Sequence, residues 1–247
     1  MLPTSNKTIS IIVPCYNYAH YLKECLDSIL YQTYPIHEII IVSDGSPDVE
    51  KMREVLQPYK QPNLYLLHKE NGGLSSARNA GIEIATGDYI MCLDADDKLV
   101  PAAIEEHMKL LVDDMSIAQC ALMEFGERHV INVPLPNTTL ERVMQSNTVF
   151  CNAVFPRKAW VDVGMFDESE TMRAGYEDWE FWIRCLEKGY KVRTSDFIAL
   201  RYRVHEGQMT QATAWPKRQK LYNYIYNKHK ELYEERGLLI ATMILEN

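Results

Sequence analysis

The 247-residue chain has no apolar run that approaches the roughly 20 residues needed to span a bilayer. Its N-terminal segment Met1–Lys7 lacks the apolar core of a signal peptide. Basic residues are also scarce, with 26 Lys and Arg against 34 Asp and Glu and a net charge of −8. A nucleic-acid partner calls for a basic face that neutralises phosphates. We therefore expect a cytoplasmic protein with no transmembrane segment and no nucleic-acid partner.

Paired cysteines are absent as well. The six cysteines lie far apart along the chain, and no two of them form a Cys-X-X-Cys pair. Cys15 and Cys92 lie inside apolar runs that are typical of buried strands. This spacing predicts reduced thiols in a core, and it argues against a disulfide framework or a zinc site.

Apolar, β-branched runs alternate with helical periodicity through the N-terminal part of the chain. The runs predict strands at Ser10–Asn17, Glu38–Ser46, Leu64–His68 and Tyr89–Leu93. The periodic segments predict helices over about Ala19–Gln32 and near Ser75–Ala85. A βαβαβ order of this kind predicts an α/β fold with a parallel sheet, in which ligands bind at the carboxyl ends of the strands.

Polar residues follow every one of these strands. The fourth strand ends in Asp94-Ala95-Asp96-Asp97, which carries three carboxylates and no basic residue. This pattern is typical of a Mg²⁺ or Mn²⁺ ion that also binds the phosphates of a substrate. A solvated turn before a helix that opens at Pro101 would explain the same residues.

Gly72-Gly73, after the third strand, would let the backbone approach a phosphate or a base. The spacing matches neither a Walker loop nor a dinucleotide fingerprint, and paired glycines also occur in ordinary turns.

Four segments stand in a fixed order between about Ser10 and Leu99. They are Ile11 to Asn17, Val42 to Ser46, Asn71 to Gly81 and Leu93 to Asp97. Together they resemble the successive blocks of family two glycosyltransferases with the GT-A fold. The resemblance implies a Rossmann-like, mostly parallel sheet flanked by helices, and a nucleotide-diphospho-sugar donor whose expected base is uracil. It also implies an Mn²⁺ or Mg²⁺ cofactor, inversion at the anomeric carbon of a transferred hexose, and a role in polysaccharide or cell-envelope biosynthesis.

The resemblance also implies roles for individual residues. Pro14 and Tyr16 would line the base and ribose pocket, and Asp44 would hydrogen-bond the base. The complete implied donor-binding set is Pro14, Tyr16, Asn17, Asp44, Asn71, Gly72, Gly73, Arg78, Asp94 and Ala95. The implied metal ligands are Asp96, Asp94 and His205. The second block often reads Asp-Asp-Gly-Ser in the family, and Ser43 at its first position predicts altered base or ribose contacts with unaltered chemistry.

A second feature lies between Gly175 and Arg184. Apolar residues at helical spacing predict a helix that begins near Glu177, namely Trp179, Trp182, Ile183 and Leu186. Acids at a helix start are stabilised by unsatisfied amides and by the macrodipole, which explains Glu177 and Asp178 without any catalytic role. The stretch also resembles the Glu-Asp motif of the family. That resemblance implies Asp178 as the general base and Glu177 as a supporting acid near the acceptor.

The segment Ala199–Gly207 alternates apolar and basic residues and resembles a late Tyr-Arg-X-His segment of the family. Its His205 would reach the metal or the diphosphate, although an isolated histidine is often structural. Arg201 and Arg203 would contact phosphates, or would protect an edge strand from aggregation. Beyond them, Tyr222, Tyr226 and Tyr233 predict a helix whose aromatic stripe packs on the domain, with a dimer or membrane surface as the alternative.

We therefore predict a GT-A domain over residues 1–215, with a donor subsite at about 7–100 and an acceptor subsite at 101–215. A helical extension would follow at 216–247. The predicted function is metal-dependent inverting transfer of a sugar to a glycan or lipid-linked acceptor. Peripheral association with the cytoplasmic face of a membrane and a homodimer through the C-terminal helix stay open.

Two alternatives to this function also stay open. One is a catalytically silent module that binds nucleotide-sugar or glycan. The other is a sugar-phosphate nucleotidyltransferase, which would require a Gly-rich basic loop where Tyr16–Ala19 stands.

Overall fold

A computed structural model of the chain describes residues 7–208 and 215–240. The alternation of strands and helices predicted for the N-terminal part is confirmed. The strands are β1 (Ile9–Cys15), β2 (Glu38–Asp44), β3 (Leu64–Lys69) and β4 (Tyr89–Cys92). The helices are α1 (Ala19–Leu30), α2 (Val49–Leu56) and α3 (Leu74–Ile84).

These four strands form the parallel part of a five-stranded sheet. The order is β3-β2-β1-β4-β8, where β8 (Phe155–Pro156) pairs antiparallel with β4. Every residue of β1, β2 and β4 is buried, because helices cover both faces of the sheet, and most of these residues are apolar. The parallel direction sends the residues that follow β1 to β4 to one edge of the sheet.

A second sheet of four strands belongs to the C-terminal half. Its order is β5-β9-β6-β7, for β5 (Lys98–Leu99), β6 (Ser116–Gly126), β7 (Ile131–Asn132) and β9 (Lys191–Val204). Strand β9 lies between β5 and β6, so Arg201 and Arg203 are on an interior strand. The interpretation that they protect an edge strand is wrong.

Seven helical segments complete the described chain. They are α4 (Ala103–Leu110), α5 (Leu140–Gln145), α6 (Arg157–Val163), a 3-10 helix (Thr171–Ala174), α7 (Glu177–Glu187), α8 (Trp215–Lys228) and α9 (Lys230–Arg236). Helix α4 begins at Ala103, so Pro101 lies in the turn before it and is not its first residue. Helix α7 begins at Glu177, as the periodicity predicts.

Helices α8 and α9 pack into the core that also contains α7. Tyr222 and Tyr233 are buried in one cluster with Trp179 and Trp182, so the aromatic stripe packs on the domain. An ionic cluster joins the same helices, because the fully buried carboxylate of Glu180 contacts Arg184, Lys228 and His229. The predicted extension continues to residue 247, and its residues 241–247 lie outside the described part.

Two further sequence predictions concern cysteines and membrane spans. All six cysteines are free, and all except the half-buried Cys151 are buried, as predicted for reduced core thiols. Within residues 7–208 and 215–240, no helix combines the length and apolar character that crossing a membrane requires.

Candidate active site

A cavity of about 760 Å³ opens where β1, β2 and β4 end. Residues from the C-terminal half close its other side, chiefly those at the start of α7. Every sequence-predicted site residue lines this cavity except Gly72 and His205. The two halves of the chain therefore contribute to one site.

Asp44 is the centre of a hydrogen-bonded turn at the end of β2. Its buried carboxylate accepts hydrogen bonds from the backbone amides of Gly72 (2.9 Å) and Gly73 (2.8 Å) and from Lys69 Nζ (2.9 Å). The paired glycines therefore bind a carboxylate of the protein, and their amides are not directed at a phosphate. Gly45 permits the turn, because its φ is +63° and a Cβ there would lie 2.6 Å from the backbone nitrogen of Asn71.

Ser43, the departure from the family pattern, is buried beneath this turn. Its hydroxyl lies 3.0 Å from Nδ1 of His68 on the neighbouring strand β3. The serine therefore takes part in a contact between two strands of the sheet, and it does not line the cavity.

Arg173 extends the same wall of the cavity from the 3-10 helix. Its Nη2 donates a hydrogen bond to Oδ1 of Asn71 at 2.7 Å. A Cβ at Gly73 would lie 3.2 Å from the Arg173 side chain, so the glycine lets the arginine pack closely on the turn. Sequence reasoning missed Arg173, because it lies in a short irregular segment without periodicity.

Arg78 on α3 joins the two halves of the site. Its guanidinium is fully buried and donates to Oε1 of Glu177 at the start of α7, and to Oδ1 of Asp94 at 3.0 Å. Burial raises the pKa of Glu177 to about 7, against the lowering effect of the Arg78 charge. Glu177 is thus held by the protein itself.

Asp178 presents its carboxylate to the cavity. Oδ1 accepts a hydrogen bond from the backbone amide of Trp179 at 2.8 Å, and Asn147 Nδ2 lies 3.2 Å from Oδ2. Burial raises the pKa of Asp178 above its ordinary value. An acid with a raised pKa in a cavity suits proton transfer. Asn147, which sequence reasoning missed, lies in the loop after α5, where no pattern marks it.

The proposed metal ligands separate into two groups. Oδ2 of Asp96 lies 3.0 Å from Nε2 of His205, whereas Asp94 turns away toward Arg78. Nδ1 of His205 lies 2.9 Å from the carbonyl oxygen of Glu206, and a carbonyl can only accept, so this nitrogen carries the hydrogen. In the neutral ring, the lone pair of Nε2 therefore faces a carboxylate oxygen.

A divalent cation between these two atoms would satisfy the contact, so the donor set of one oxygen and one nitrogen fits Mn²⁺. In the described part of the chain, no three His, Cys, Asp or Glu side chains are arranged to hold a metal ion. Two protein ligands are sufficient for an ion that takes its other ligands from water and a diphosphate.

Asp97, the third carboxylate of the acidic run, is buried and faces away from the cavity. Its Oδ1 accepts a hydrogen bond from the backbone amide of Arg203 at 2.8 Å. Tyr202 lines the cavity, and Arg201 and Arg203 do not, because neighbouring residues of a strand point to opposite faces. The structure gives no support to phosphate contacts from these two arginines.

Comparison with known families gives a match over more than half of the chain. The model of the family described as glycosyl transferase family 2 matches residues 10–158.

Two relatives are uncharacterized glycosyltransferases. YibD of Escherichia coli is 43% identical over 123 residues, which cover 49% of this chain and 35% of the relative. A protein of Rickettsia typhi is 31% identical over 220 residues, which cover 84% of this chain and 67% of the relative. The chain thus spans from about a third to about two thirds of the length of these relatives.

Solved structures share the architecture. TarS of S. aureus in complex with UDP-GlcNAc superposes with a TM-score of 0.69 at 20% identity, covering 84% of this chain and 61% of that one. A mannosyltransferase of Pyrobaculum calidifontis in complex with GDP-Man and Mn²⁺ gives a TM-score of 0.70 at 22% identity, covering 93% and 66%. At this level of identity the likeness shows the fold.

Proposed function

Because this chain belongs to glycosyl transferase family 2 and has the GT-A fold, we propose that it transfers a sugar from a nucleotide-diphospho-sugar to a hydroxyl group of a glycan or lipid-linked acceptor. The observation that carries the proposal is one cavity that joins the donor blocks of the N-terminal half to Asp178 of the C-terminal half. Residues 7–100 form the donor subsite in this proposal, and residues 101–215 form the acceptor subsite.

The donor would occupy the edge of the sheet between Tyr16 and Asp94. Pro14 and the half-exposed Tyr16 offer an apolar and aromatic surface to a base and its ribose. Asp44 also lines the cavity, and its carboxylate would accept a hydrogen bond from an N–H group of a base. Uracil is the proposed base. Of the two structural neighbours, TarS was solved with UDP-GlcNAc and the mannosyltransferase with GDP-Man.

Mn²⁺ or Mg²⁺ is the proposed cofactor, as the Mn²⁺ complex of the mannosyltransferase supports. Asp96 and His205 would hold the ion, with Asp94 beside them. A bound ion supplies Lewis-acid stabilisation of the charge that develops on the leaving diphosphate.

Asp178 is the proposed general base. An acceptor hydroxyl must lose its proton while its oxygen attacks the anomeric carbon, so a carboxylate has to lie within hydrogen-bond reach of it. Asn147 and the Trp179 amide fix the orientation of the Asp178 carboxylate. A single displacement of this kind inverts the anomeric carbon and requires no covalent nucleophile.

Glu177 is a supporting residue in this proposal. Its Oε1 is engaged by Arg78, and its side chain is almost completely buried. It would keep Arg78 beside Asp94 while Asp178 receives the proton.

Release of nucleoside diphosphate separates an enzyme from a silent binding module. The protein, at a concentration far below that of the donor, should release many equivalents of nucleoside diphosphate when an acceptor is present. Asp178→Asn is the matched control, because it keeps the donor subsite intact. Donor binding without release beyond one equivalent would favour the binding module, and pyrophosphate as the product would favour a nucleotidyltransferase.

A further inference from the structure

The outer face of the second sheet carries six side chains in register. Lys98 pairs with Arg201, Arg201 with Met123, and Met123 with Ile131, so one row crosses all four strands. Phe125 and Arg203 form the next row. We call this surface the outer face; it comprises Lys98, Met123, Phe125, Ile131, Arg201 and Arg203. The opposite side of the sheet carries Leu99, Leu122 and Leu200, which are buried in the core.

One half of the outer face is basic. Three cations surround the ring of Phe125, with Lys98 Nζ at 4.7 Å, the Arg203 guanidinium at 4.5 Å and that of Arg201 at 5.4 Å from the centroid. Glu24 pairs with both Lys98 and Arg203 and neutralises one of the three charges. In the described part of the chain, Arg201 has no carboxylate partner, and its buried Nε has no hydrogen-bond partner. An excess of positive charge therefore remains here, in a chain whose net charge is −8.

The other half of the outer face continues into an exposed apolar hairpin. Ile131, Val133 and Leu135 are 54%, 55% and 49% exposed and alternate along the chain, while Pro134, between Val133 and Leu135, is buried. Asn132 faces the opposite way and donates a hydrogen bond to Glu124. Apolar side chains that are exposed together beside a polar rim mark an interaction surface.

We propose that the outer face and the apolar hairpin dock on an anionic lipid surface. Apolar side chains enter the boundary between head groups and acyl chains, and neighbouring basic groups meet the anionic head groups. The Debye length is about 8 Å at physiological ionic strength, so carboxylates farther away are largely screened. The local positive charge therefore determines the electrostatic attraction to the lipid surface. The guanidinium of Arg201, which has no carboxylate partner among residues 7–208 and 215–240, gains an anionic partner in a lipid phosphate.

Docking by this face would place the cavity close to the bilayer. Tyr202, between Arg201 and Arg203 on β9, lines the cavity from the other side of the sheet. Docking would thus hold the protein at the membrane that carries a lipid-linked acceptor. This last step rests on the proposed function, whereas the docking itself does not.

Co-sedimentation of the full chain with vesicles tests the proposal. Binding is expected to vesicles that contain phosphatidylglycerol, and to be at least about tenfold weaker with phosphatidylcholine alone. Each basic residue near the surface contributes about fivefold to the affinity for anionic vesicles. Arg201→Glu removes one positive charge and adds one negative charge, so it should weaken binding roughly 20- to 30-fold. Ile131→Asp should weaken binding as well, and added salt should weaken that of the unaltered protein.

Matched controls lie on other elements. Arg53→Glu on α2 reverses an exposed charge, and Val161→Asp on α6 replaces a side chain that is 59% exposed. Both should bind vesicles like the unaltered protein, and thermal melting should show that all four variants fold. Equal losses in variants and controls, or no preference for anionic vesicles, would overturn the proposal.

A dimer that Ile131→Asp dissociates in light scattering would also overturn it, because the face would then be a protein interface. None of these measurements requires turnover, so failure of the proposed catalysis would leave their outcome unchanged.

Discussion

Arg78 on α3 donates a hydrogen bond to Glu177 at the start of α7, although 99 residues separate them in the chain. Both side chains are almost completely buried, and Nη2 of the same guanidinium donates a hydrogen bond to Asp94. The pair therefore fixes the proposed acceptor half of the site against the donor half. It also distinguishes two adjacent acids, since Glu177 is paired inside the protein and Asp178 faces the cavity.

Removal of Arg78 alone should destabilise the fold. Arg78→Met leaves the buried Glu177 without a partner, which is expected to cost about 3–5 kcal/mol of unfolding free energy. Arg78→Met combined with Glu177→Met should recover most of that loss, because no unpaired charge remains buried. Urea denaturation of the two single variants and the double variant measures the coupling, and additive losses would show that the two residues act independently.

Replacement of Asp178 should affect catalysis and spare binding. Asp178→Asn keeps an acceptor for the Trp179 amide but removes the proton acceptor, so we expect transfer to slow by roughly two to four orders of magnitude. Single-turnover transfer at saturating donor, compared with Glu177→Gln, measures the effect. If only Glu177→Gln were slow, the base would be Glu177. If both variants kept full transfer, the two acids would serve only the start of α7.

Replacement of Asp44 should affect both nucleoside binding and stability. Asp44→Ala deprives the half-buried amides of Gly72 and Gly73 of their acceptor, which is expected to cost about 1 kcal/mol per lost hydrogen bond. Metal-free titration with uridine and guanosine nucleotides should show a lower nucleotide affinity. Thermal melting should show a lower melting temperature. Lys69→Met is the control that keeps the two amide bonds. Nucleotide affinity that stayed unchanged in Asp44→Ala would contradict the role in base recognition.

The buried Glu180 should make the fold sensitive to acid. Burial raises its pKa, but hydrogen bonds from His229 and Arg184 and the charges of Arg184 and Lys228 outweigh that effect and lower the pKa to about 2. The stabilisation is therefore complete above the unfolded pKa of about 4.5 and is lost as the pH falls toward 2. We expect a loss of about 3 kcal/mol over this range.

Urea denaturation between pH 6 and pH 3 compares the unaltered protein with Glu180→Gln. The variant should be less stable at pH 6 and should lose less stability on acidification. Parallel pH profiles for the two proteins would show that Glu180 does not carry this dependence.

The sequence was sufficient for the parallel strands and for the loops at their ends. Continuous apolar runs and the small-residue turn at Gly45 are local signals, and they place Asp44 and Asp94 at one edge of a sheet. The start of α7 at Glu177 was equally local, since it follows from the spacing of Trp179 and Trp182.

Contacts between distant segments were beyond such reasoning. The interior position of β9 depends on pairing with β6, which overturned the edge-strand interpretation of Arg201 and Arg203. Tertiary packing also determines the hydrogen bonds from the Gly72 and Gly73 amides to Asp44. It likewise determines the position of Arg173 and the hydrogen bond from Asn147 that orients Asp178. No periodicity or spacing in the chain encodes these contacts.

Thermal melting with UDP-, GDP- and dTDP-sugars, each with and without Mn²⁺, tests the central proposal of a nucleotide-sugar site most directly. A ligand that binds only the folded state raises the melting temperature with its occupancy. We predict that one class of nucleotide-sugar raises the melting temperature, and that the rise is larger with Mn²⁺ than without it. In Asp96→Ala, the additional rise that Mn²⁺ produces should be lost. No rise with any donor under either condition would contradict the account.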